Sequence, residues 1–83
     1  MHEMGIAQSV IDMATREAQL KNARAVLRVS LTIGEFSGVD TESLTFCFEC
    51  LKQDTFLAGA SLEISYIPSG DELELSQLEL ELP

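Results

Sequence analysis

Met1-His2-Glu3 places a histidine one peptide bond from the amine that opens the chain. That spacing makes a chelate. The amine, the amide nitrogen of His2 and the imidazole Nδ1 close two fused rings, and amines and imidazoles of this kind offer neutral nitrogens near neutral pH. The ligands are already neighbours, so gathering them costs little chain entropy. The amide of Glu3 is the natural fourth nitrogen. Amide nitrogens bind only after losing a proton, which Ni(II) or Cu(II) can drive in square-planar geometry. Tetragonal nitrogen sets favour those ions over Zn(II), and proton release makes the binding strongly pH-dependent. The Glu3 carboxylate either binds too or orients His2 as an acceptor. This reading takes Met1 as the retained first residue, with no leader ahead of it. His2 is the only histidine, so no internal cluster competes for the role. Against it stands the plain fact that every chain begins with Met and that position 2 is often arbitrary.

Eighty-three residues make one domain, 1–83. A chain this short buries only roughly 60% of its unfolded surface, so its core is thin. The net charge of −9, from 14 acids against 5 bases, argues against nucleic acid and anionic membrane as partners. It suits a basic protein or a cation. No apolar run reaches the ~20 residues that span a bilayer, and no signal-peptide pattern opens the chain, which places the protein in the cytoplasm.

The elements that must position the opening residues follow from periodicity. Residues 5–22 read as a helix, with Ala7, Val10, Ile11, Ala14 and Ala18 on one stripe. The chelating residues are then a frayed arm ahead of it. Residues 26–35 alternate as a half-buried strand, Leu27, Val29, Leu31 and Ile33 inward and Arg28, Ser30 and Thr32 outward. Gly34 to Gly38 form a loop. Asp40 caps a second helix that runs to about Gln53, with Glu42 in its first turn and Leu44, Cys47, Phe48 and Leu51 on its inner stripe. Leu62, Ile64 and Tyr66 mark a second strand, and Pro68-Ser69-Gly70-Asp71 a turn. In the last strand Leu73 and Leu75 are out of phase with Leu78, Leu80 and Leu82, which predicts a β-bulge at Ser76-Gln77. The order α-β-α-β-β gives a two-layer α+β domain: a three-stranded mixed sheet with two helices on one face. Strand, helix and strand form a parallel crossover, and the short turn forms an antiparallel hairpin.

Other chemistry is thin. Cys47-Phe48-Glu49-Cys50 has C-x-x-C spacing, but a structural zinc site wants four ligands. The pair also falls inside a helix, where an i to i+3 disulfide is strained. It reads as one packed and one partly exposed thiol. No phosphate-binding loop occurs, and no Ser-His-Asp grouping or nucleophile-base pair, so the chain does not read as an enzyme. Asp40 is the most interesting carboxylate. It is a helix cap, and a partner or ligand near His2 if the arm folds back onto its loop.

Met1-His2-Glu3, Ile33 to Asp40, Leu44 to Glu49 and Gly59 to Ile64 together resemble the HypA/HybF family, the hydrogenase nickel-incorporation metallochaperones. The likeness runs along most of the chain in the right order. It implies a domain that takes Ni(II) at Met1, His2 and Glu3, with His2 the essential side chain and Asp40 a nearby supporting group. It also implies delivery of nickel to the large subunit of [NiFe]-hydrogenase alongside a nickel-linked maturation GTPase, by a monomer or homodimer. The family normally carries an inserted zinc domain with two C-x-x-C pairs. Here the chain passes directly through 67–70 into the last strand, so zinc is not expected. The competing reading is an acidic protein-protein interaction module, with His2 incidental.

Overall fold

The computed structural model describes residues 2–83. Helix α1 spans Glu3–Leu20, strand β1 Ala25–Gly34, helix α2 Thr41–Leu51, strand β2 Ser61–Ile67 and strand β3 Leu73–Glu81. A short 3₁₀ turn, Glu35–Ser37, lies between β1 and α2. The α-β-α-β-β order and the three-stranded mixed sheet are as expected. The helices pack on each other and α1 lies on the sheet.

Helix α1 stops at Leu20, two residues early, for a local reason. Asn22 takes a left-handed φ of 53°, which Asn tolerates better than most residues. The N–H of Ala23 then donates to the Ala18 carbonyl at 2.8 Å and that of Asn22 to Gln19 at 3.2 Å. This double bond pattern satisfies carbonyls that a helix end otherwise leaves open.

The core forms where the α1 stripe (Ala7, Val10, Ile11, Ala14, Ala18) meets Val26, Val29, Leu31 and Ile33 of β1 and Leu44 and Phe48 of α2. The small alanines let the helix approach closely. Cys47 and Leu51 are half-buried at its margin. Lys52 is buried too, its ammonium donating to the Ala60 carbonyl at 2.8 Å and pairing with Glu49 at 3.0 Å. It ties the end of α2 to the connection leading into β2.

The opposite face of the sheet is polar, as an open face should be. Arg28 in the central strand donates to Glu63 of β2 at 3.1 Å and to Glu79 of β3 at 3.0 Å. Those contacts, Glu79 first, raise its pKa further above the ordinary arginine value.

Two expectations about the sheet are corrected. Leu27 does not face the core. A register shift between Val26 and Arg28 opposite β3 turns Leu27 outward, 42% exposed, and sends Val26 inward. The second correction is the hairpin. The strand order is β2-β1-β3, with β1 parallel to β2 and antiparallel to β3. β3 therefore pairs with β1, across the sheet from its sequence neighbour. Beside β1 it lies under α1, where Leu75, Leu78 and Leu80 pack against the core. The connection 68–72 must then cross the end of β1. It does so at Gly34, where a Cβ would overlap the backbone of Gly70 and Asp71. Gly34 N–H donates to the Glu72 carbonyl at 2.8 Å, Phe36 N–H to Gly70 at 2.7 Å, and Ser69 N–H to the Glu35 carboxylate at 2.9 Å. The bulge expected in β3 is present: Ser30 pairs with Gln77 and Leu31 with Leu75, leaving Ser76 unpaired. The Ser76 hydroxyl donates to the Ser30 carbonyl at 3.0 Å.

Candidate metal centre

The helix begins two residues earlier than periodicity implied, and this changes the setting of the site. Glu3 is its first helical residue, and His2 is its N-cap with extended φ −92° and ψ 100°. The His-Glu pair is therefore no frayed arm. The His2 carbonyl accepts from Ile6 N–H at 3.1 Å. The imidazole makes no capping bond and is exposed. First-turn N–H groups have no acceptor one turn back. The Glu3 amide can thus lose its proton without breaking a rung of the helix.

Glu3 is held from the other side. Its Oε2 accepts from the backbone N–H of Asp40 at 3.0 Å. That bond, first, and then its own backbone N–H hold the Glu3 carboxyl below its ordinary pKa, against the opposing effects of burial and the Asp40 charge. Asp40 itself caps α2 as expected: its Oδ1 accepts from Ser43 N–H at 3.2 Å, and its carbonyl from Leu44 N–H at 2.9 Å. The loop delivering it needs Gly38, whose φ is +80°. The N-terminal ends of both helices are thus joined through one carboxylate, in the polarity the helix dipole favours.

The structure brings Glu3 and Asp40 together. It does not gather His2, Glu3 and Asp40 into one cage: among the described residues no three His, Cys, Asp or Glu side chains converge to hold a metal. Met1 lies outside the described residues. A site here must draw donors from the main chain, as the chelate chemistry of the opening residues requires.

His2 lies instead on a groove of ≈ 380 Å³ with Ile6, Val10, Met13, Leu73 and Glu74 along its walls. Sequence reasoning did not connect Glu74 or Met13 with His2. The pairing of β3 with β1 puts Glu74 there, and no local signal carries that pairing; Met13 comes from α1, along with Ile6 and Val10. The two cysteines are free, Cys47 half-buried and Cys50 exposed, as expected. No described helix is long and apolar enough to cross a membrane.

Residues 1–72 match the sequence profile of a family described as "Hydrogenase/urease nickel incorporation, metallochaperone, hypA". The chain belongs to the HypA family. It is 44% identical over 69 residues to the hydrogenase maturation factor HypA of Dehalococcoides mccartyi, covering 83% of this chain and 58% of that one. It is 44% identical over 72 residues to that of Geobacter metallireducens, covering 87% of this chain and 63% of the relative. This HypA-family chain therefore spans about three-fifths of the length of the curated relatives it matches. The solution structure of the Ni metallochaperone HypA from Helicobacter pylori superposes over the whole of both chains with a TM-score of 0.85 at 20% identity. At that identity the likeness speaks for the fold.

Proposed function

We propose that this HypA-family chain is a nickel metallochaperone, carrying Ni(II) as cargo at Met1, His2 and Glu3. The amine of Met1, the amide nitrogens of His2 and Glu3 and the His2 imidazole form the planar donor set. Asp40 acts through Glu3: its N–H holds the Glu3 carboxylate and so steadies the turn that carries two of the donors. Recipient and helper are those of hydrogenase maturation, namely the large subunit of [NiFe]-hydrogenase and a nickel-linked GTPase. The unit is one domain, 1–83. With only Cys47 and Cys50 as thiols, both in α2, no structural zinc belongs to it.

The observation that carries this reading is the division of labour at the start of α1. His2 leaves its imidazole exposed and unused in capping, while Glu3 commits its side chain to Asp40 and keeps its amide outside the helical ladder. A planar site built from successive main-chain nitrogens exchanges ligands one at a time, which suits handing a metal on. Nickel titration of the untagged protein tests it. A yellow, diamagnetic 1:1 complex is expected, lost in His2→Ala and when the terminal amine is acetylated. Equal nickel affinity in wild type and His2→Ala sinks it.

A second reading has its own support. β3 is an edge strand with Glu74, Glu79 and Glu81 exposed, a surface for a basic protein partner with His2 incidental. Partner capture unchanged by His2→Ala, with no nickel effect, favours this alternative.

A further inference from the structure

The two cysteines are outside the nickel chemistry proposed above. They stand at i and i+3 on α2, so they are neighbours on the helix surface, with Cβ atoms about 5–6 Å apart. A disulfide wants its Cβ atoms about 3.5–4.5 Å apart. At that spacing an S–S bond is strained, whereas one large atom can bridge the two sulfurs. Helical Cα–Cβ bonds tilt toward the N-terminus, which leans Cys50 back over the turn that holds Cys47. Cys47 packs against the core on its inner side. Cys50 is exposed and gives an incoming ion access. Phe46, 69% exposed one turn ahead of Cys50, adds an aromatic face beside the pair.

The donor set selects the ion. Zinc wants four ligands, and among the described residues no third His, Cys, Asp or Glu joins the pair. Planar Ni(II) needs four donors as well. Thiolates are soft and prefer Cu(I) among the common first-row ions, and Cu(I) is satisfied by two of them. We propose that Cys47 and Cys50 form a two-coordinate bis-thiolate site for Cu(I). On binding, two S–H bonds break and two S–Cu bonds form. Two protons pass to the buffer, the complex carries one negative charge, and copper stays Cu(I) throughout. The site owes nothing to the amino terminus, so one chain separates metals by softness: nitrogen donors at the start of α1, sulfur donors on α2.

Anaerobic titration of the full chain with Cu(I), in competition with the chromophoric chelator bathocuproine disulfonate, tests the proposal. One Cu(I) per chain is expected at the pair, with a sulfur-to-copper ultraviolet band and an X-ray absorption spectrum of two sulfur neighbours. Cys50→Ser alters an exposed side chain, keeps the wild-type far-ultraviolet dichroism and loses that copper. Cys47→Ala loses it too, and His2→Ala retains it, so the result stands apart from the nickel reading. Undiminished uptake by Cys50→Ser, nitrogen neighbours to copper, or copper-dependent pairing of two chains in gel filtration overturns the proposal.

Discussion

At the scale of single residues, the site is a contrast between a side chain left free and one tied down. His2→Ala removes the only imidazole, and calorimetry should find the planar nickel complex gone with the fold intact, because an exposed residue carries little packing. Asp40→Ala should behave differently. It removes the cap to Ser43, at a cost of about 1 kcal/mol in denaturant unfolding. It keeps the backbone N–H that holds Glu3, so nickel affinity should change far less than in His2→Ala. A comparable loss in both variants would make the Asp40 carboxylate a direct ligand. The tie between Glu3 and Asp40 also has a pH sense. A carboxyl whose folded pKa is depressed contributes above its ordinary value, and the contribution fades as pH falls through the depressed one. The Asp40 amide resonance should therefore shift with acid at a pH below the ordinary glutamate range. A midpoint at or above that range would contradict the bond.

At the scale of elements, the decisive feature is the passage of the 68–72 connection over the end of β1. Gly34 is required there because backbone occupies the place of a side chain. Gly34→Ala should destabilise the domain by at least about 2 kcal/mol, as overpacking does when the neighbour is stiff. Gly59→Ala, where a Cβ meets nothing within 4 Å, is the matched control. Equal unfolding midpoints for the two variants would remove the crossing from this account. The bulge at Ser76 is the other such feature. Deleting Ser76 would make Gln77 follow Leu75 directly, so that Leu75, Leu78 and Leu80 keep one face by strict alternation. Cooperative unfolding is expected to survive, with only the Ser76 bond to the Ser30 carbonyl lost; loss of cooperativity would contradict the bulge.

At the scale of the whole molecule, two short helices and three strands share a thin core, and single large side chains matter accordingly. Phe48 is 1% exposed and packs against α1 and β1 residues of the same cluster. Phe48→Ala should cost about 4 kcal/mol. That is comparable with the lower end of what a domain of this size has in total, about 4–12 kcal/mol, so largely unfolded protein is expected in far-ultraviolet dichroism. The balance of −9 acts at this scale as well. It disfavours nucleic acid and draws cations and basic surfaces toward the molecule.

Periodicity and chemistry along the chain were enough to read five elements in order, the cap at Asp40 and the bulge at Ser76. Each is a local property, set within a turn or two of backbone. What the linear chain did not reveal is where distant segments meet. Helix α1 begins at Glu3 because Asp40, 37 positions away, supplies an N–H to its carboxylate. β3 lies beside β1 because only there does α1 cover its leucines, and Leu27 turns outward because β1 carries an extra residue there opposite β3. Such contacts depend on which surfaces are free to bury each other once the helices and strands exist. That competition is settled by packing in three dimensions, and no short stretch of sequence records its outcome.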